Sequence, residues 1–389
     1  MRVSPQALLP PRNHQHPSID DPPQNRQKTA PMRIETPVTR LLGIDLPIIQ
    51  AGMSWASSNA ALPLAVSAAG GLGVIAAGPM RLPDLMAAIS TVRANNHPFA
   101  VNLPLYRHGV DDLIEALLAD PIPILIASQG GPKRYLDRFH AAGTICLHVV
   151  ASVEHAQKAA AAGVDGLVVV GGEAGGHPPP DLVSTLVLLR AVAKALPGTP
   201  IIASGGFADG AGLAAALALG AGAAQFGTRF LASHEAGVHD AYKQAVLAAG
   251  PAGTRTVGAV FGLIRALSNT FTERMVTLER TAAPEPERRE AFTAATLKAA
   301  ALDGDINEGK LEAGQSAGLV DSIEPAATLV RRIAEEYVAA IAALPKPRSS
   351  QPPPNPARTQ REAAALRANL ARRKTQARAR TTPIGEQQP

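Results

Sequence analysis

A glycine-rich segment that ends in a histidine is the first feature of the chain that could do chemistry. Residues 171–177 read GGEAGGH, so four glycines precede His177. Glycine lets a backbone adopt positive φ or approach a ligand closely, and histidine titrates near neutrality, which suits proton transfer. A turn that carries a hydrogen-bonded surface histidine is the alternative. We favour a catalytic base at His177.

Two further glycine-containing segments have the residue types of an anion site. Residues 203–207 read ASGGF and residues 225–229 read QFGTR. Unpaired backbone N–H groups at neighbouring strand ends bind phosphate, and the last two strands of (β/α)8 barrels commonly provide such a site. Glycine as punctuation between helices and strands is the alternative. The pairing of the two segments favours a phosphate group.

Motifs for metal chemistry are missing from the sequence. It contains no HExxH or HxxxH pair, and the pair His234 and His239 is more typical of a helix surface. We therefore predict no metal site. A phosphate-bearing cofactor beside a glycine-rich histidine loop fits flavin mononucleotide (FMN), because its flat ring needs close backbone approach.

Eight short apolar runs alternate with helical stretches and could position these residues. The predicted strands are 47–51, 73–77, 99–103, 122–127, 145–149, 166–170, 201–204 and 223–227, and the predicted helices are 59–69, 83–95, 111–119, 133–142, 153–162, 182–196 and 209–219. This count is that of a (β/α)8 TIM barrel. A doubly wound sheet is the competitor, but its GxGxxG loop is absent after the first strand. We predict the α/β barrel.

The sequence also predicts what surrounds the barrel. Residues 34–345 form one catalytic domain, in which 235–310 lose the strand rhythm and are expected to form a helical insertion, or lid, over the barrel mouth. The chain returns at 314–320, and residues 326–343 are predicted to be a closing helix. Residues 1–33 and 346–389 are rich in Pro, Gln and Arg and are expected to be disordered. Within the second tail, 361–380 could instead form a basic helix.

Charge and composition narrow the classes of function. The net charge of +5 combines +3 in residues 1–33, +8 in residues 346–389 and −6 in the body, so the basic character belongs to the ends. The single cysteine, Cys146, excludes a disulfide scaffold. No run is apolar and long enough for a membrane helix, and no secretory signal is evident. We expect a cytoplasmic protein, with a homodimer as an open expectation.

Taken together, the motifs resemble the nitronate monooxygenase (2-nitropropane dioxygenase) family, which includes FMN-dependent enoyl-ACP reductases. The motifs are, in order, 47–53 (PIIQAGM), 69–73 (AGGLG), 101–103 (VNL), 173–177 (EAGGH), 203–206 (ASGG), 225–228 (QFGT) and 313–320 (AGQSAGLV). The resemblance covers about residues 34–343. It implies a TIM barrel that binds FMN, with His177 as the catalytic base.

The resemblance also implies which residues contact the cofactor. The implied cofactor-binding residues are Ala51, Gly52, Met53, Asn102, Val170, Gly175, Gly205, Gly206, Gln225, Phe226, Gly227, Thr228, Gln315 and Ser316. The first three would lie against the flavin ring, Gly205, Gly206, Gly227 and Thr228 would hold the phosphate, and the last two would close the site. Two positions depart from the family: Gly52 stands where proline is usual, and Val170 stands where many nitronate-oxidising members have glutamine.

The resemblance leaves two activities open. The leading hypothesis is oxidation of alkyl nitronates by FMN and O2, which gives a carbonyl compound and nitrite. The alternative is an NAD(P)H-dependent FMN reductase of enoyl thioesters or quinones. A third, non-catalytic hypothesis has the Arg-rich tail dock on nucleic acid or an anionic membrane. It is disfavoured, because the tail has no aromatic residue for stacking and the body is acidic.

Overall fold

The computed structural model describes residues 32–345 and 356–380. The described chain falls into two units, one that ends at Val338 and one that begins at Ala339. The strands are β1 (Ile48–Gln50), β2 (Gly73–Ala76), β3 (Phe99–Pro104), β4 (Ile124–Ser128), β5 (Ile145–Val150), β6 (Gly166–Val170), β7 (Ile201–Ser204), β8 (Ala223–Phe226), β9 (Thr254–Val257) and β10 (Ile264–Leu267). The helices are α1 (Pro37–Leu42), α2 (Ala61–Ala68), α3 (Leu82–Arg93), α4 (Val110–Ala119), α5 (Leu136–Ala141), α6 (Val153–Ala161), α7 (Thr185–Ala195), α8 (Gly210–Ala218), α9 (Thr228–Leu231), α10 (Asp240–Ala248), α11 (Thr270–Arg280), α12 (Glu285–Ala294), α13 (Ala326–Ala343) and α14 (Pro356–Arg380).

The first eight strands form a parallel barrel. Each strand pairs with its neighbours in sequence from β2 to β8, and β8 pairs with β1. A parallel bridge between Ile49 and Leu72 joins β1 to the start of β2 and closes the circle. The predicted (β/α)8 fold is confirmed, and all eight predicted strands are present. The carboxyl ends of the strands therefore meet at one mouth, where barrel enzymes carry their sites.

Side-chain alternation along the strands produces two apolar layers. Ile49, Leu147 and Ile202 belong to the inner layer, whereas their neighbours Ile48 and Cys146 belong to the layer beneath the helices. Because successive residues of a strand point to opposite faces, short Val- and Ile-rich runs supply both layers at once. The low aromatic content is compatible with this core, since aliphatic side chains fill the barrel interior.

Helix α1 closes the amino end of the barrel. Its Val38 and Leu42 join the inner apolar layer, and the Thr36 hydroxyl donates to the Gly222 carbonyl at 2.6 Å. A Cβ at Gly222 would lie 2.6 Å from the Val38 side chain, so the helix packs directly on that backbone. The mouth at the opposite end is the open one.

The insertion after the eighth strand differs from its prediction in one respect. It contains the expected helices α10, α11 and α12, but also an antiparallel hairpin of β9 and β10. The hairpin core buries Val257, Ile264 and Ala266 against Phe271 and Phe292. Its strands are only four residues long, so alternation was too brief to separate them from loop. The predicted helix over 326–343 is confirmed as α13.

The second predicted tail needs a correction. Residues 356–380 are helical as α14, so the expectation of disorder is wrong for this stretch, and the basic-helix alternative describes it better. The physical reason is composition, because Ala, Leu and Arg are strong helix formers and proline is favoured at a first helical position. Residues 1–31, 346–355 and 381–389 lie outside the described residues, and so do the predictions made for them.

Candidate active site

A cavity of about 740 Å³ lies at the carboxyl ends of the barrel strands. Most predicted site residues line it: Ala51, Gly52, Met53, Asn102, Val170, Gly175, His177, Gly205, Gly206, Gln225, Gly227, Thr228 and Ser316. We call the cavity-lining residues from the strand ends and their loops the floor. The lining residues between 261 and 312, from the insertion and the segment after it, we call the roof. The topology thus brings together residues that are far apart in sequence.

Two predicted residues do not line the cavity. Phe226 is fully buried in the outer layer, where its ring packs on Phe207 and Phe230, because strand alternation turns Gln225 inward instead. Gln315 is exposed, and its backbone N–H donates to the Glu173 carbonyl at 2.9 Å. The structure therefore does not bring these two side chains to the site.

The loop before His177 packs so tightly that side chains are excluded. A Cβ at Gly171 would lie 2.0 Å from the Thr185 hydroxyl, and one at Gly175 would lie 2.5 Å from the Ala313 backbone. Glu173 stabilises the loop from within, since its Oε2 accepts hydrogen bonds from the Thr185 N–H and hydroxyl, both at 2.8 Å. The glycine excess thus reflects close packing of the loop as well as backbone freedom.

Arg265 of the insertion fastens both ends of the same loop. Its guanidinium donates to the Gly172 carbonyl from Nη2 at 2.7 Å and from Nε at 3.1 Å. Its backbone exchanges two hydrogen bonds with Gly176, at 2.7 and 3.1 Å, directly before His177. Arg265 is 7% exposed, and burial lowers its pKa while nearby Glu173 opposes that shift. The hairpin therefore holds the histidine loop in place.

The ends of β7 and β8 place the glycines of the predicted anion site at the cavity. Gly205 and Gly206 line the cavity with φ of 100° and 86°, a region that other residues rarely adopt. The Gln225 amide donates to the Ser204 hydroxyl at 3.0 Å and ties the two strand ends together. The buried Thr228 hydroxyl accepts from the Gly314 N–H at 2.9 Å, which leaves its own O–H free to donate. A free hydroxyl donor beside two glycines is the kind of surface that could hold a phosphate group.

Gly52 departs from the family pattern, and the structure explains why. A Cβ on Gly52 would lie 2.5 Å from the Asn102 Cβ, so proline would require this backbone to shift. The Asn102 amide donates to the Ile126 carbonyl at 3.0 Å, which fixes its side chain beside the cavity. A flat ring could lie against this side-chain-free stretch of backbone.

The roof contains charged residues that the sequence reasoning missed. Lys310 and Glu312 line the cavity, and the Lys310 ammonium lies 3.6 Å above the Phe292 ring. Burial raises the pKa of Glu312, and the charges of His177 and Lys310 oppose that shift. Burial also lowers the pKa of Lys310, against the attraction of Glu312. In the sequence, only the position of these two residues just before the 313–320 motif could have indicated that they belong to the site.

The buried His148, which the sequence analysis did not single out, supports the floor from behind. His148 Nε2 contacts the Gly130 carbonyl at 2.8 Å, and its Nδ1 contacts the Tyr135 hydroxyl at 2.9 Å. Burial lowers the pKa of His148 to about 4, so the ring is neutral at pH 7 and its Nε2–H donates to Gly130. Gln129, which precedes Gly130 in the chain, has a φ of 56° and lines the cavity. The histidine therefore holds a constrained turn of the site.

One group of potential metal ligands lies at the amino end of the barrel. Among residues 32–345 and 356–380, His140, Cys146 and Asp165 place ligand atoms within 4.8 Å of one another. Burial raises the pKa of the Cys146 thiol to about 12, which disfavours the thiolate that a metal requires. Asp165 Oδ2 already accepts from the Cys146 N–H at 2.7 Å and contacts His140 Nε2 at 2.9 Å. The group serves packing between β5 and β6.

An eight-stranded barrel whose glycine-rich strand ends surround a histidine-bearing cavity has the architecture of a TIM-barrel enzyme. The chain belongs to the nitronate monooxygenase family, whose model matches residues 35–336. Members of this family are in general flavoenzymes. The described residues include no helix long and apolar enough to cross a membrane.

Three similar proteins illustrate the range of the family. The chain is 34% identical to the (3aS,4S,5R,7aS)-5-hydroxy-7a-methyl-1-oxo-octahydro-1H-indene-4-carboxyl-CoA dehydrogenase of Mycobacterium tuberculosis, over 78% of this chain and 96% of that one. It is 34% identical to the nitronate monooxygenase of Paraburkholderia phytofirmans, over 78% and 95%. The structure of FabK from Thermotoga maritima matches with a TM-score of 0.74 and 38% identity, over 79% and 98%.

Proposed function

We propose that this chain is an FMN-dependent oxidoreductase that acts on the carbon–carbon bond next to a thioester. The observation that carries the proposal is the roof, which adds Phe261, Ile264, Phe292 and Leu297 to the cavity and gives it an apolar upper wall. An apolar wall suits an acyl chain. Val170 extends the same character at the end of β6, where glutamine is usual in many nitronate-oxidising members.

Similar proteins support this substrate class. The mycobacterial relative is named for a carboxyl-CoA substrate, and its match covers 78% of this chain. The similarity to FabK, an enoyl-ACP reductase, points to the same substrate class. Thioester chemistry was the alternative in the sequence analysis, and the apolar wall moves it ahead of nitronate oxidation.

The residues of the chain fit a simple division of labour. Bound FMN supplies two-electron transfer. Gly205, Gly206 and Thr228 would hold the phosphate, and the backbone around Gly52 would support the ring. A ring nitrogen of His177 would give a proton to the carbon next to the thioester carbonyl during reduction, or remove it during dehydrogenation. NAD(P)H would supply the electrons for reduction.

Nitronate oxidation is the second candidate, and one observation favours it. Lys310 and His177 both line the cavity and could hold the two oxygens of an anionic nitronate. The relative from Paraburkholderia phytofirmans is named for this activity. Such a substrate needs no NAD(P)H, because a nitronate is already a carbanion equivalent.

Anaerobic half-reactions separate the two candidates. FMN-loaded protein is reduced with NADPH or dithionite and mixed with crotonyl-CoA, while the oxidised protein is mixed with propionate 3-nitronate. Return of the oxidised flavin spectrum with crotonyl-CoA, and no bleaching by the nitronate, is the expected result. Bleaching by the nitronate with nitrite released in air, and no reaction with crotonyl-CoA, would establish the second candidate instead.

A further inference from the structure

Two charged side chains in the roof, Lys310 and Glu312, are half-buried and have no bonding partner among the described residues. Among residues 32–345 and 356–380, no hydrogen-bond acceptor lies within bonding distance of the Lys310 ammonium, whose contacts are the faces of Phe292 at 3.6 Å and Phe271 at 5.9 Å. In the same part of the chain, the Glu312 carboxylate accepts no hydrogen bond and forms no ion pair. Charged groups are seldom buried without partners, because desolvation is costly.

The Lys310 ammonium and the Glu312 carboxylate lie close enough to affect each other's ionisation but too far apart to form an ion pair. Each influences the ionisation of the other, yet they do not come within the 4.0 Å of an ion pair. Both line the cavity. A donor and an acceptor that face one cavity without pairing can both be satisfied by a ligand that lies between them.

The backbone around Glu312 is fixed, so this arrangement does not depend on a loose loop. The buried Tyr242 hydroxyl donates to the Glu312 carbonyl at 2.9 Å, and the Glu312 N–H donates to the Lys310 carbonyl at 3.0 Å. A Cβ at Gly176 would lie 3.2 Å from the Glu312 carboxylate, which places that carboxylate beside the residue preceding His177. The pair therefore lies within reach of the reacting part of a substrate.

We propose that Lys310 and Glu312 form a substrate-binding site that selects acyl groups bearing an oxygen function. The Lys310 ammonium donates to a carbonyl or hydroxyl oxygen of the acyl group, and the Glu312 carboxylate accepts from a hydroxyl of the same group. A plain hydrocarbon acyl group would leave both charges without a partner. This assignment rests on the proposed function, since it concerns the acyl part of a thioester.

A matched series of thioesters tests the assignment. Reduced, FMN-loaded wild-type protein is reacted with 2-hexenoyl-CoA and with 2-hexenoyl-CoA carrying a hydroxyl or keto group at C4, C5 or C6. We expect kcat/KM for at least one oxygenated thioester to exceed that of the hydrocarbon by about tenfold or more, as for hydrogen bonds to charged groups. The comparison needs no variant, so a folding defect cannot obscure it.

Variants then locate the preference. In Lys310→Met and Glu312→Leu the ratio of oxygenated to hydrocarbon kcat/KM should fall toward one, while Lys310→Arg should retain part of it. Lys298→Met, an exposed lysine outside the cavity, serves as the matched control and should keep the wild-type ratio. FMN affinity, measured by fluorescence titration, should be unchanged in Lys310→Met.

The failures are distinguishable. A hydrocarbon thioester that reacts as well as every oxygenated one, a preference that survives in both variants, or loss of FMN from Lys310→Met would overturn the assignment while leaving the proposed function intact. No reaction of the reduced wild-type flavin with any thioester would overturn the proposed function and this assignment together.

Discussion

The floor and the roof of the cavity are built in opposite ways. The floor consists of short segments fixed to barrel strands, with glycines that leave backbone uncovered, such as Gly205 and Gly206. The roof consists of side chains from a hairpin and helices, with rings such as Phe292 and charges such as Lys310. Backbone contacts suit a constant cofactor, whereas side chains are easily varied. This difference underlies our proposal that the floor binds the cofactor and the roof selects the substrate.

Loss of the proposed base His177 should lower the rate more than any other change. If it did not, the chemical step could not be assigned to the floor. His177→Ala should lower kcat by about 10²–10⁴-fold, the usual contribution of a general acid or base. The flavin spectrum should remain, because the side chain belongs to the proton step and the backbone of the floor is unaltered. Stopped-flow reoxidation by crotonyl-CoA measures the rate, and a rate within threefold of wild type would remove His177 from the mechanism.

The next largest loss of rate should come from Arg265, which joins the hairpin of the insertion to the histidine loop of the floor. Arg265→Met removes both hydrogen bonds to the Gly172 carbonyl, and a misplaced base costs about 10²-fold in rate. If Arg265 acts by positioning His177, the same change should have little effect on the residual rate of His177→Ala. Thr254→Val, which removes only a 3.1 Å contact to the same guanidinium, is the milder control.

Equal losses in the two backgrounds would contradict a positioning role for Arg265. They would show that the arginine supports the cavity in general and acts independently of the histidine. Thermal unfolding of each variant separates such a loss of stability from a loss of rate.

The smallest expected effect is on stability at low pH, and it comes from His148 behind the floor. The pKa of His148 is lowered from its ordinary value near 6.5 to about 4 by burial, so its contribution is fully present above pH 6.5. As pH falls from 6.5 toward 4, the unfolded chain takes up the proton first, and stability falls by up to about 3 kcal/mol. His148→Gln should flatten the decline in Tm over this range.

His97→Gln is the control for the pH experiment, because His97 is exposed. It should keep the wild-type decline in Tm. Parallel declines in the wild type and in His148→Gln would show that His148 does not titrate as its burial requires.

The floor could be predicted from the sequence, and the roof could not. Gly205, Gly206 and Thr228 follow strands that periodicity identifies, and barrel topology then brings strand ends together. Lys310 and Glu312 follow no regular element, so nothing in their spacing indicates a common cavity. Phe226 shows a second limit of prediction from sequence. A motif identifies a residue but does not state whether its side chain or its backbone contacts the ligand.

The most direct test of the central claim is FMN affinity in one floor variant and one roof variant. Gly206→Val forces a β-branched residue into a φ of 86°, and such strain costs about 1–3 kcal/mol. Fluorescence titration should give a Kd for FMN about tenfold to hundredfold weaker in Gly206→Val and unchanged in Lys310→Met. Unchanged affinity in Gly206→Val together with weakened affinity in Lys310→Met would contradict the account.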